Sequence, residues 1–245
     1  MSHDITAMIL AAGLGTRLQR LTHDTPKALV KLDGKPLLQH CIECLIRNDF
    51  RHIVINVHHF GAQIIDFVAR HSFDADIEIS DERDQLMDTG GGIVKASPLL
   101  KPSQAVLVHN VDIISNVDFK DLGRQFLDSD ADAWLLTQDR ANSRKLLFND
   151  REQLIGWRDK THGNFKWVYD SFGQFQEKAF SGMHFFKSGL FSHIEVKPMS
   201  VIDLYLTLAK TRRIRSHPVE PDYWFDLGKP EQLQAAEDFL KNPSR

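Results

Sequence analysis

The chain has 245 residues, two cysteines, an apolar share of 42% and a formal net charge of −3. This length suits one α/β domain with a sizeable core, expected to span residues 1–245. The slight negative charge argues against nucleic acid as a main partner, because such binding needs a basic face. No apolar run approaches the roughly 18 residues of a membrane span, and Met1-Ser2-His3-Asp4 does not open a signal peptide. No membrane partner and a cytoplasmic location are therefore expected, for a monomer or small homo-oligomer.

Strand-like and helix-like segments alternate through the first half, which predicts a mostly parallel sheet with helices on both faces. Strands are expected at 7–11, 52–57, 77–80, 105–109 and 133–137. Helices are expected at 36–48, 62–70 and 119–127, with a short one at 92–99 following a glycine loop. The pattern then breaks into short strand-like pieces at 146–148, 154–157, 166–169 and 179–186, which suggests a small antiparallel lid. Helix returns at 200–210, with Ser200 as its cap. Late strands at 214–218 and 224–226 and a closing helix at about 230–242 complete the chain. No internal repeat is present, and no hexapeptide run announces a β-helix.

The stretch with the most chemistry is Ala11-Ala12-Gly13-Leu14-Gly15-Thr16-Arg17, which follows the first apolar strand. Glycines lack a Cβ, so the chain can turn tightly and present its N–H groups to an anion. Arg17 and Lys27, the latter in Pro26-Lys27-Ala28-Leu29, add the positive charge a polyphosphate requires. The pattern is neither a Walker A loop nor G-x-G-x-x-G. Asp112 and Asp226 each end a strand-like segment, and ligands of open α/β sheets bind at that edge. Hard oxygen donors of this kind suit Mg²⁺. Three successive glycines, Gly90, Gly91 and Gly92, carry an entropic cost that implies a backbone requirement. Glu82, ahead of them, is a candidate for reading a base edge.

These segments, with Asp88-Thr89-Gly90-Gly91-Gly92, Asn110-Val111-Asp112 and Trp224-Phe225-Asp226-Leu227-Gly228 in the same order, resemble the signature of the sugar-1-phosphate nucleotidyltransferases. The resemblance implies a Rossmann-like fold and an Mg²⁺-dependent enzyme joining a nucleoside triphosphate to a sugar 1-phosphate, with release of pyrophosphate. It implies that Arg17 and Lys27 neutralise the triphosphate and the transition state. The amides of Ala11, Ala12, Gly13, Gly15 and Thr16 would cradle phosphate, and Asp112 and Asp226 would hold the metal together. Thr89, Gly90 and Gly91 would wall the nucleobase and ribose. Phe180-Ser181-Gly182-Met183-His184 is similar to the family's sugar-contacting segment, which assigns Ser181 and Gly182 to the sugar phosphate; the resemblance places Asn110, of Asn110-Val111-Asp112, there as well. Lys160, in Asp159-Lys160, stands near the family's sugar-phosphate lysine, and Val111 stands where the family usually has glycine. The nucleotide part would cover about residues 1–140 and the sugar part about 141–228. The loop Asp-Thr-Gly-Gly-Gly-Ile is most similar to short bacterial N-acetylmuramate-1-phosphate uridylyltransferases, which points to UTP. A guanylyl- or cytidylyltransferase for heptose, mannose or choline phosphate stays open, as does a non-catalytic nucleotide-sugar-binding subunit.

Other features have plainer readings. Cys41 and Cys44 are spaced as C-x-x-C, but they fall on the apolar side of an amphipathic helix and are expected in the core. His58 and His59 are adjacent at a strand end, where successive side chains diverge, so a shared metal is not expected. Arg212, Arg213 and Arg215 suit a solvated edge strand. Trp134, Trp157 and Trp167 are expected to pack the core or the lid.

Overall fold

The computed structural model describes residues 5–100, 103–169 and 173–241, the side chains of 19 and 20 excepted. In chain order, β1 (Ile5–Leu10) leads to a hairpin of β2 (Lys31–Leu32) and β3 (Lys35–Pro36), then α1 (Leu37–Arg47). β4 (His52–Val57), α2 (Gly61–Arg70), β5 (Asp76–Asp81) and α3 (Asp88–Leu100) follow. Next come β6 (Ala105–Asn110), β7 (Ile113–Ser115), α4 (Phe119–Asp128) and β8 (Ala133–Gln138). The second half contains β9 (Arg144–Phe148), β10 (Leu154–Asp159), β11 (Asn164–Trp167) and β12 (Gln176–Lys187). It closes with α5 (Val201–Leu208), β13 (Ile214–Pro218), β14 (Trp224–Asp226) and α6 (Pro230–Lys241). Residue 242, where the expected closing helix ends, lies outside the described residues.

β1 is apolar on both faces apart from the buried Thr6, as suits a strand covered on both sides. It pairs in parallel with β4 and β6, and β4 pairs in parallel with β5. One face of these strands, including Ala7, Ile9, Ile53 and Ile55, packs on Leu38, Cys41 and Ile42 of α1 and on Phe119 and Phe126 of α4. The opposite face, including Met8, Leu10, Val54 and Val106, packs on Ile93 and Val94 of α3 and on Leu204 and Tyr205 of α5. Each such aliphatic side chain, fully buried, contributes about 1.5–3 kcal/mol. The cysteines lie where the amphipathic pattern puts them. Cys41 is buried with Sγ 3.0 Å from His109 Nδ1, and burial pushes its thiol pKa well up.

The expected antiparallel part is present and is continuous with the parallel part. β12 runs antiparallel to β6, β8 and β9, and β9, β10 and β11 form a meander beyond it, in a ten-strand sheet among the described residues. β12 changes neighbours through a register shift between Phe180 and His184. Gly182 sits in that irregularity with φ +82, and a Cβ there would lie 2.9 Å from Ile113 Cγ1. The Arg-rich β13 pairs with β8 and makes a single antiparallel bridge from Arg215 to Gln153, and Arg213 and Arg215 both reach Asp130. Asp118 and Ser200 cap α4 and α5 through Asp121 N and Asp203 N.

One expectation is corrected. The triple glycine does not form a loop ahead of a short helix; it lies inside α3, which already begins at Asp88. Helix is possible there because the glycines make room for a neighbour. A Cβ on Gly90 would lie 2.6 Å from Ser200 O, and one on Gly91 2.3 Å from Lys197 O. The amides of Gly90 and Gly91 both donate to Met199 O, at 2.9 and 3.1 Å. The first turn of α3 is thus docked against the chain entering α5. No helix among the described residues is long and apolar enough to cross a membrane.

Candidate active site

The site lies at the carboxyl ends of β1, β4 and β6, where a parallel sheet leaves a crevice. β1 ends at Leu10, and Ala11 N donates to Asn56 Oδ1 at 2.8 Å across the end of β4. Ala11 and Ala12 are buried, whereas Gly13, Leu14, Thr16 and Arg17 are exposed. A Cβ on Gly13 would meet nothing within 4 Å, so its place in the loop reflects access rather than crowding. Gly15 differs: its φ is +66, and a Cβ would come within 3.0 Å of Lys27 Cβ and Thr22 Cγ2. A 3₁₀ helix, Thr16–Thr22, follows, anchored by Leu18 in a small apolar cluster with Val30, Leu32, Leu37, Leu227 and Ala236. That cluster ties the signature loop to α6.

The loop lines a cavity of about 380 Å³, together with Lys27, Asn56, Asp88, Thr89, Asn110, Asp112 and Gly228. Lys27 Nζ forms an ion pair with the Asp112 carboxylate, and both side chains are largely buried. A second cavity of about 260 Å³ is lined by Arg17, Thr89, Asn110 and Asp112, and by Arg140, Lys145, Trp157, Ser181, Gly182, Trp224 and Asp226. Arg17, Thr89, Asn110 and Asp112 belong to both walls, so the two cavities are halves of one cleft.

The two aspartates come together through a strand pair separate from the main sheet. β7 and β14 run antiparallel with Asp226 opposite Ile113, and Leu227 N donates to Asp112 O at 2.8 Å. Asp226 Oδ1 accepts from Gly228 N at 3.0 Å. A Cβ on Gly228 would lie 2.8 Å from Arg17 Nη2 and 2.9 Å from Asp226 Oδ1, so this glycine lets the guanidinium and the carboxylate approach the backbone.

Not every expected residue reaches the cleft. Glu82 is fully buried and does not touch either cavity. Its carboxylate accepts from Asn56 Nδ2 at 2.7 Å and Met87 N at 3.3 Å, and burial raises its pKa against those bonds. It fixes Asn56 rather than reading a base. Gly90 and Gly91 are buried against the chain entering α5, and only Thr89 of that group faces the cleft. Lys160 lies on neither wall; its ammonium is 2.7 Å from Glu177 Oε2, a carboxylate it shares with Arg158. Trp157, expected in packing, lines the second cavity, while Trp134 stacks on His217 in the core at 4.1 Å. His58 is bound to Glu82 O at 2.6 Å, as a loop histidine.

Three residues on the cleft wall escaped sequence reasoning. Asn56 is a polar residue closing an apolar strand, which is a readable signal at this edge of the sheet. Arg140 and Lys145 sit in a charged stretch that reads as loop. The signal there was Lys145 at the head of the apolar run Leu146-Leu147-Phe148.

The fold and cleft define a class: an α/β protein with a cleft at the carboxyl ends of its parallel strands, beside a second compartment carrying acidic and basic groups. The chain belongs to the nucleotidyl transferase family, whose sequence model matches residues 6–242. It is 33% identical to N-acetylmuramate alpha-1-phosphate uridylyltransferase of Caulobacter vibrioides, over 94% of this chain and 95% of that one. It is 26% identical to mannose-1-phosphate guanyltransferase of Gibberella zeae, over 92% of this chain but 61% of that longer protein. Among solved structures, HddC from Yersinia pseudotuberculosis complexed with GMP-PN superposes with a TM-score of 0.77 at 22% identity, covering 96% of this chain and 99% of that one. The chain is thus a sugar-1-phosphate nucleotidyltransferase by family.

Proposed function

We propose that this enzyme joins UTP to N-acetylmuramate 1-phosphate, releasing pyrophosphate. The observation that carries the reading is the two-part cleft: its halves meet at Arg17, Thr89, Asn110 and Asp112. A triphosphate seated on the signature loop and a sugar phosphate in the second cavity would bring their phosphorus centres together at that shared wall. The nucleotide part is then about residues 1–140 and the sugar part about 141–228. The identity to the Caulobacter vibrioides uridylyltransferase over nearly both full lengths supports this substrate pair.

Transfer of this kind needs positioning and charge neutralisation rather than a covalent nucleophile. The sugar phosphate oxygen attacks the α-phosphorus, the bond to the β-phosphate oxygen breaks, and pyrophosphate leaves. The exposed loop amides hold the triphosphate. Arg17, free of any ion pair among the described residues, offers its guanidinium fork to the phosphates at the junction. Lys27 is held in place by Asp112 and neutralises charge as pyrophosphate departs. Asp112 and Asp226, on adjacent strand ends with oxygen donors only, fit a hard cation, and they are the residues that would hold Mg²⁺. Bound there, the ion would neutralise charge between the two phosphates.

The test is pyrophosphate release in Mg²⁺ from each of five nucleotides (ATP, CTP, GTP, UTP, dTTP) paired with a panel of sugar 1-phosphates. Release only with UTP and N-acetylmuramate 1-phosphate is expected. Preference for GTP with mannose 1-phosphate would favour the second reading, which the Gibberella zeae relative motivates. Tight nucleotide-sugar binding without release from any pair would favour a non-catalytic subunit.

A further inference from the structure

Besides Arg17 at the junction, the second cavity carries two cations without a counter-ion among the described residues, Arg140 and Lys145. Lys145 is only 7% exposed, yet among the described residues its ammonium has one partner, the Arg140 carbonyl at 2.7 Å. Arg140 is half-buried. Its Nη2 donates to Phe180 O at 3.0 Å, its guanidinium lies 4.2 Å from the centre of the Trp224 ring, and its Nε is buried with no acceptor. Among the described residues no carboxylate oxygen lies within 4.0 Å of either side chain's nitrogens; Arg144 beside them reaches Asp159 at 3.6 Å. The nearest acidic influence on Arg140 is Asp226, whose field opposes the effect of burial on the guanidinium. A buried ammonium is rare unless paired, because desolvation penalises the bare charge. Carbonyl oxygens and an aromatic face hold these groups in place but do not neutralise them. Both face the compartment where the proposed reaction needs an anion.

We propose that Arg140 and Lys145 together form the subsite for anionic oxygens of the sugar substrate, in the role that the family resemblance gives to Lys160. The inference rests on the reading that the second cavity takes the sugar phosphate. Lys160 pairs with Glu177 instead and lines neither cavity. The fork of Arg140 suits two oxygens of one anion, and its guanidinium packs over the Trp224 ring. The oxygens are those of a phosphate monoester or of a carboxylate on the sugar's substituent.

The test uses Arg140→Gln, Lys145→Met and Lys160→Ala, each checked for folding by its thermal midpoint, with Arg140→Lys as a charge-retaining variant. Two quantities are read: KM for each substrate in pyrophosphate release, and calorimetric affinity for N-acetylmuramate 1-phosphate. Arg140→Gln and Lys145→Met are expected to weaken the sugar phosphate by at least about tenfold while KM for the nucleotide changes by less than about twofold. Arg140→Lys should recover part of the loss. Lys160→Ala should leave both KM values within about twofold. Equal losses of calorimetric affinity for N-acetylglucosamine 1-phosphate assign the pair to the phosphate; losses confined to the muramate sugar assign it to the carboxylate. Unchanged sugar KM in both Arg140→Gln and Lys145→Met, or a loss produced by Lys160→Ala instead, overturns the inference. If the wild type binds the sugar phosphate but turns over no pair, the transfer reading fails, and loss of that binding in Arg140→Gln still supports the subsite. If the wild type neither binds nor turns over any sugar phosphate, both fail.

Discussion

Asp112 has three tasks at once. Its carboxylate pairs with Lys27, it borders both halves of the cleft, and its carbonyl holds Leu227 next to Asp226. Asp112→Asn keeps the shape and the backbone contact but removes the charge. Most turnover should vanish while the protein stays folded, at a lowered thermal midpoint because Lys27 loses its counter-ion; near-normal turnover would sink the metal assignment. Lys27→Ala should slow transfer by at least about tenfold, the scale of one lost electrostatic donor, in a single-turnover rate with both substrates saturating. Glu82 teaches a different lesson. The carboxylate is buried and acts through Asn56 and Met87, so Glu82→Ala leaves two buried donors unpaired and should cost about 1–3 kcal/mol in chemical denaturation. Glu82→Gln keeps an acceptor and should cost less. Equal stability of the two variants would remove Glu82 from this positioning role.

At the scale of elements, α3 shows why composition alone misleads. Three glycines read as a loop that approaches a ligand. In the structure they are helical because the segment at Lys197–Val201 crosses too close for side chains, leaving 2.3 Å between Lys197 O and a Cβ on Gly91. Helix propensity would gain from Gly91→Ala, by up to about 1 kcal/mol. The clash with a backbone carbonyl should outweigh it by about 1–3 kcal/mol, as overpacked sites do. The net expectation is a lower unfolding midpoint and, because Thr89 rides on the same turn, weaker nucleotide binding. A raised midpoint would mean the crossing segment yields freely. β12 is the complementary case: one long strand joins the parallel half of the sheet to the antiparallel half, and Gly182 allows the change of register between them.

At the scale of the whole molecule, stability should depend on acid through two buried imidazoles. Burial lowers His109 to about 4 and His184 to about 3 from an ordinary value of 6.5. Both are neutral in the folded chain at neutral pH. The unfolded chain takes up protons below about 6.5 while the folded one does not. Stability is therefore complete above that pH and is lost as pH falls towards the folded values. At pH 5 each site should have cost about 2 kcal/mol. Urea unfolding at pH 7 and pH 5 measures this, and an unchanged free energy would show that the protonated rings find partners inside.

Much of this was legible in the sequence, because it depends on neighbours along the chain. Apolar runs bounded by turn residues mark strands whatever they pack against, so β1, β4 and β6 are readable. The spacing of Gly13, Gly15, Arg17 and Lys27 reports a local backbone requirement beside positive charge. Asp112 and Asp226 are readable as strand ends, but their juxtaposition depends on β7 pairing with β14 across more than a hundred residues. The burial of Glu82, the capture of Lys160 by Glu177, and the unpaired charges of Arg140 and Lys145 are likewise tertiary facts. A side chain's charge is a property of its residue, whereas its partner is a property of the fold. The sequence by itself determined most of the strands and helices and which loop sets glycines beside positive charge. Only the packing of distant strands decided which cations are already neutralised and which remain open to a substrate.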